Sequence, residues 1–459
     1  MQRAVATASF VEDYRAIEAL ALRPAASAGE LARNLGEVYR AVFDVDLARY
    51  DAAEVRGRAH DLANAIFKLR VRLRDRIAGW HARGLIDVAA ERALRDVFRV
   101  ARYGADMLGE LAIGHARVPR GGAIFRAFTA PHDNTRVHPA YDRGRNLVFR
   151  RGDVLLVRGM LHNSAAIARI GDVDTQFSHL ALVHVDAEGR YWAMESLIEE
   201  GAVVAPLEFV LGHGLGRAVV YRHKDAGLAA EAAALMYDRV RAGMRGEGPR
   251  IRYDFTMELA DGQDMFCSKL VRAAFAEASG GQVQLPTFTT LLDMTNRDFL
   301  DGIGVTARET FAPGDIDLEP AFDLVAEWQD YRVTSDLRLQ DMVMTKLLEW
   351  MEARALYFHD SPRVQLISLF GRLSSRMPGL TKHIARGLPK VPANMSRRAI
   401  ATVAMLHKTA EPLYRRLQKL EEASIARTGR GLHPREVLEA LEAMREAAGD
   451  RVGYLAPRR

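Results

Sequence analysis

Cysteine is almost absent from this sequence: 459 residues contain one, Cys267. A single thiol excludes a disulfide framework and any cysteine-based zinc site, and it fits a reducing compartment. Also missing is any apolar run of the ~20 residues needed to cross a bilayer. Glu12 and Asp13 interrupt the N-terminal region before a signal-peptide core could form. The expected location is cytoplasmic or peripheral to a membrane, with export by a signal-free route left open. Internal repeats and low-complexity tails are missing too. The one glycine-rich stretch, Gly212-His-Gly-Leu-Gly-Arg, lacks a strand–loop–helix setting and a phosphate-binding lysine, so it reads as a turn. No metal and no cofactor are expected. His179 and His184 stand five apart on an expected strand and so point to opposite faces, where they cannot share an ion.

Acidic residues are scarce in one place only. Between Ser361 and Leu420 there are twelve Lys or Arg and a single acid, Glu411, a local charge of +11 against +5 for the whole chain. Such a field points to an acidic partner. No aromatic residues alternate with these cations, which argues against nucleic acid. Leu369, Phe370, Met377, Leu380, Ile384 and Leu388 are interleaved with basic residues that include Arg386, Lys390, Arg397 and Arg398. That mixture suits an anionic membrane surface, and these four cations are the candidate membrane-binding residues. The plain alternative is a helical domain carrying Arg and Lys for solubility.

With 49% apolar and 27% charged residues, the remainder is ordinary globular sequence, long enough for two or three domains. Residues 1–117 carry apolar positions at three- and four-residue spacing and predict an N-terminal helical bundle. Residues 118–150, rich in Gly, Pro, Arg and His, predict a linker or lid. Residues 151–335 open with the short strand-like runs DVLLV, HLALVHV, RYWAMESL and RAVVYR and then return to helix, an α+β core. Residues 336–459 predict a basic, helical C-terminal domain.

Cys267 falls at the start of the amphipathic run SKLVRAAFAEAS, with Asp264 placed to cap the helix. The amide groups and dipole of a helix start favour the thiolate, the nucleophilic form. A small buried residue filling a gap would look the same. A nucleophilic cysteine needs an imidazole beside it, oriented by a third polar group. His179 opens the strand HLALVHV, and the return strand RYWAMES carries Glu195. A turn of odd length at Asp186–Gly189 sets Glu195 directly opposite His179 on one face; an even turn separates them.

Taken in order, the motifs Arg151-Gly-Asp-Val-Leu-Leu-Val, Gln176-Phe-Ser-His, Met194-Glu-Ser, Tyr253-Asp-Phe and Phe266-Cys-Ser-Lys-Leu-Val resemble one family. They are similar to the permuted papain-like amidases of the YaeF/YiiX type, relatives of the NlpC-type hydrolases, over roughly residues 150–335. The resemblance implies a permuted papain-like catalytic core between the two helical regions. It implies Cys267 as nucleophile, His179 as base and Glu195 as the residue orienting it, with Tyr253 a candidate oxyanion or substrate donor. Lys269 departs from the glutamate more usual there. The implied activity is a cysteine hydrolase or acyltransferase acting on an amide or ester. The preferred substrate is a lipid or lipidated molecule at a membrane surface. A peptidase or amidase acting on cell-wall or protein amides, in the manner of a secreted effector, and a non-catalytic interaction protein are the alternatives.

Overall fold

The structure, a computed structural model, describes residues 9–46, 49–116, 124–144, 146–212, 214–260, 262–362, 364–366, 368–369, 372 and 394–458. The N-terminal region folds as α1 (Phe10–Ala21), α2 (Ala28–Phe43), α3 (Ala52–Gly57), α4 (Ala59–Ala82) and α5 (Val88–Ala112). Ser27, Asp51 and Asp87 cap α2, α3 and α5 by accepting the amides of Glu30, Ala53 and Ala90. The helical run is interrupted at Arg58, which separates α3 from α4.

The core is an antiparallel sheet of seven strands. These are β1 (Thr135–Val137), β2 (Val154–Gly159), β3 (His179–Val185), β4 (Tyr191–Leu197), β5 (Gly201–Pro206), β6 (Leu215–His223) and β9 (Phe322–Gln329). They lie in the order β1-β9-β6-β2-β3-β4-β5. Two short pieces, β7 (Thr290–Leu291) and β8 (Glu309–Thr310), pair separately. On one face Leu156, Leu180, Leu182, Met194 and Val219 pack against α9 (Ala226–Arg245) and α10 (Cys267–Ala278). On the other, Leu155, Val157, Ala181, Val183 and Val220 meet α6 (Ile124–Thr129) and α8 (Leu207–Leu211). Cover on both faces explains why the central strands are apolar throughout instead of alternating.

The segment 118–150 is more than a linker or lid, because it supplies α6 and the edge strand β1, which pairs antiparallel with β9. A three-residue strand set among Gly and Pro carries too little periodicity to be read from sequence. The motif Arg151-Gly-Asp has a structural explanation. Gly152 has φ +80°, and a Cβ there would lie 2.4 Å from the Ala229 carbonyl oxygen. The buried Asp153 beside it takes the Arg222 guanidinium through two contacts of 2.7 Å.

Beyond the sheet come α12 (Thr334–Ala353) and the helices Arg397–Thr428 and Pro434–Ala447. The C-terminal region is not purely helical, since β10 (Leu356–Phe358) pairs with β11 (Leu455–Pro457). Buried ion pairs fasten both helical flanks to the core. Arg70 meets Glu327 at 2.5 Å, Arg95 meets Asp315 at 2.7 Å, Asp106 meets Arg217 at 2.6 Å and Arg158 meets Asp341 at 2.6 Å. Arg338 bridges Glu110 of α5 and Glu421 of the long C-terminal helix, at 2.8 and 3.3 Å. Removing one partner of such a pair strands a buried charge, so each pair also fixes how the layers dock.

Candidate active site

Helix α10 begins at Cys267 itself, with Phe266 as its N-cap and no side-chain cap bond. The expected cap, Asp264, turns away to pair with Arg252 at 2.8 Å. The amides of the first turn are therefore left for whatever lies beside the sulfur, and the positive end of the helix faces it. Two bonds to the backbone hold the approach to the helix. Ser196 Oγ donates to the Met265 carbonyl at 2.6 Å, and the Met265 amide donates to the Arg252 carbonyl at 3.0 Å.

His179 is the first residue of β3. Its Nε2 meets Glu195 Oε2 at 2.9 Å. That contact leaves Nδ1 as the ring nitrogen available to the Cys267 thiol, the group that acts most strongly to favour the His179 charge. The register differs from expectation. Leu182 faces Met194 and Val185 faces Tyr191, so the loop spans five residues, 186–190, and Glu195 sits diagonally from His179, not opposite it. An odd loop keeps both on the same face, and the diagonal is within reach of a glutamate. Ser178, just before the histidine, accepts the Gly159 amide at 3.1 Å and donates its own amide to the Val157 carbonyl at 2.9 Å. The start of β3 is thereby tied to the end of β2.

The two titrating groups shift towards an ion pair. Burial would lower the His179 pKa, but the Cys267 thiolate, their shared hydrogen bond and the Glu195 carboxylate outweigh it and push it up to about 10. Burial would raise the Cys267 thiol. The His179 charge and hydrogen bond, the Leu180 amide and the Ser268 hydroxyl together bring it below the ordinary thiol range. Cys267 is only 5% exposed, while the His179 side chain is 20% exposed, so the imidazole side of the pair is the one that meets solvent.

Tyr253 is buried close enough to feel the Cys267 charge, and burial raises its pKa well above the usual phenol value. It therefore holds its proton and can donate. Asp254 accepts from Thr256 through one oxygen and binds Lys269 at 2.9 Å through the other. The lysine that departs from the usual glutamate is thus partnered by the acid beside Tyr253. Sequence reasoning passed over this pair, and also over the Leu180 amide and the two serines. Ser178 and Ser196 do stand inside the quoted motifs, next to His179 and Glu195.

The described candidate membrane residues, Arg397 and Arg398, are not part of this constellation. Arg397 and Arg398 are exposed on the first turn of the helix Arg397–Thr428. Arg386 and Lys390 lie outside the described residues. Among the described residues no group of three or more His, Cys, Asp or Glu could hold a metal, and no helix is long and apolar enough to cross a membrane.

Residues 148–326 match the sequence profile of the permuted papain-like amidase enzymes of the YaeF/YiiX type, peptidase family C92. No curated protein and no solved structure matches the chain. The matched segment begins just before β2 and ends within β9, and it holds Cys267, His179 and Glu195. Over that central part, less than half of its length, the chain is similar to the permuted papain-like amidases of the YaeF/YiiX type.

Proposed function

We propose that the chain is a cysteine-dependent hydrolase that cleaves an amide or ester through a thioester intermediate. The observation that carries this reading is the chain of contacts from Glu195 through His179 to Cys267 at an uncapped helix start. The Cys267 thiolate attacks the carbonyl carbon, and the carbonyl electrons move to oxygen, where the first-turn amides and the Tyr253 hydroxyl can donate to them. As the carbonyl re-forms, the bond to the amine or alcohol breaks, and the His179 imidazolium supplies the proton that group needs. Neutral His179 then takes a proton from water as the water attacks the thioester. The acid leaves, and the thiolate–imidazolium pair is restored. Glu195 acts by fixing the ring and favouring its charged form.

The preferred substrate carries an acyl chain and is met at an anionic membrane. The charge of +11 over residues 361–420 supports this, as do Leu366 and Leu369, apolar, exposed and three apart within the same window. Asn394, midway along the basic window, donates to the Tyr253 carbonyl at 2.8 Å and so sits beside the site. The sole acid of the window, Glu411, is engaged with His162 and Arg415 at 2.7 Å each and offers the surface little opposing charge.

The test uses nitrophenyl esters and anilides of short and long acyl chains, with intact-mass detection of the enzyme. Wild type should accumulate an acyl adduct on Cys267 and prefer the longer chains, more so with phosphatidylglycerol vesicles present. Absence of any adduct and of turnover would sink the hydrolase reading. Turnover indifferent to chain length and to vesicles would remove the lipid reading alone.

A further inference from the structure

Lys269 sits in the first turn of α10, two residues after Cys267, with a side chain only 7% exposed. A cation at a helix start opposes the helix dipole, and its burial costs more unless an opposite charge meets it. Asp254 supplies that charge. Its Oδ2 lies 2.9 Å from Lys269 Nζ, and its own side chain is nearly as buried. Asp254 Oδ1 accepts the Thr256 amide at 2.9 Å and the Thr256 hydroxyl at 2.5 Å. One carboxylate thus joins the turn that follows Tyr253 to the helix that carries the thiol.

Both chain neighbours of Tyr253 are tied to the segment around the start of α10. Arg252 pairs with Asp264 at 2.8 Å, and Asp254 pairs with Lys269 at 2.9 Å. The two ties are unequal. The Arg252 side chain is 66% exposed, where water and salt weaken an ion pair. The Asp254–Lys269 pair is buried and strands a charge if one partner goes. Tyr253, between the ties, is buried too, with its ring 5.0 Å from that of Phe255. From this arrangement we infer that Lys269 is a positioning residue. Through Asp254 it holds the Tyr253 hydroxyl where that group donates to the oxyanion formed when Cys267 attacks. The role rests on the hydrolase reading and adds to it a residue that touches neither the thiol nor the imidazole.

The test pairs kinetics on a short-chain nitrophenyl ester with urea unfolding, in the full-length protein. Lys269→Met should lower stability and reduce kcat at least about ten-fold, with KM changed less than about two-fold. Lys269→Met combined with Asp254→Asn keeps the interior neutral and retains an acceptor for Thr256. That double variant should recover the stability but not the kcat, which a merely structural pair would not do. Tyr253→Phe alone should show a similar loss of kcat. Adding the double substitution to Tyr253→Phe should cost less than about two-fold more, since the hydroxyl it positions is already gone. Three results would overturn the role of Lys269 in an active wild type: a double variant with wild-type kcat, an unimpaired Tyr253→Phe enzyme, or losses that multiply when the two are combined. A wild type without turnover would instead sink the hydrolase reading, and this role with it.

Discussion

Glu195 meets His179 on the diagonal of the β3–β4 ladder, at 2.9 Å, not across it. The carboxylate therefore approaches Nε2 and leaves the opposite nitrogen for the sulfur. Replacing it with Gln preserves size but removes the charge that favours the imidazolium. Glu195→Gln should keep the fold and lower kcat/KM by roughly ten- to a hundred-fold. His179→Ala and Cys267→Ala should each cost roughly 10³-fold or more. Circular dichroism and steady-state kinetics on the three variants check that ranking; an unchanged Glu195→Gln enzyme would remove the carboxylate from the mechanism.

The pH profile follows from the direction of the shifts. The thiolate–imidazolium pair forms as pH rises through the lowered Cys267 value and persists until His179 loses its proton at about 10. Activity should therefore hold across neutral pH and fall on an alkaline limb near that value. The same sign governs stability. His179 is raised above its unfolded value of ~6.5, so its contribution is full below that pH and is lost as pH climbs through the folded value. In Glu195→Gln the alkaline limb should move to lower pH. An alkaline limb that stays put would mean that the carboxylate does not act on the imidazolium.

How the flanks attach can be tested at Arg158 and Asp341, a fully buried pair joining β2 to α12. Arg158→Met leaves a buried carboxylate without its partner and should destabilise the protein by ~3–5 kcal/mol. Adding Asp341→Leu should recover most of that loss. Urea unfolding followed by tryptophan fluorescence reads both effects. Equal stability of the single and double variants would show that the pair is not the source of the cost.

Much of the site was legible because each part has a local signature. The lone cysteine at a helix start, the histidine opening a strand and the acid on the return strand all follow from short-range pattern. The register did not, because a loop of three residues and one of five give the same parity, and only the tertiary packing chooses between them. Asp264 misled for a related reason: it has the chemistry of a cap, but Arg252 competes for it. The edge strand β1 was hidden by its length. The depth of the helical flanks was hidden by their charges. Arg70, Arg95 and Arg338 carry no local sign of burial, because the acids that pair with them lie far away in sequence.

The basic window carries its own prediction. Each cation near an anionic surface contributes ~1 kcal/mol, and the attraction decays over ~10 Å at 0.1 M salt. Wild type should co-sediment with vesicles containing phosphatidylglycerol, ignore neutral vesicles, and release as salt rises. Replacing Arg386, Lys390, Arg397 and Arg398 by Ser should weaken that binding several-fold while leaving the reaction of Cys267 with a small soluble probe intact. Failure of wild type to bind at low salt would reduce the window to ordinary surface.

The most direct test of Cys267 as a nucleophile held in an ion pair is the pH dependence of its alkylation by iodoacetamide, followed by intact mass. A free cysteine reacts with a midpoint of ~8.5. In the wild type the midpoint should lie clearly below that, and in His179→Ala it should move up to or beyond it, because burial then acts on the thiol without an opposing charge. A wild-type midpoint at or above the free value, or no difference between the two proteins, would contradict the ion pair on which the whole mechanism rests.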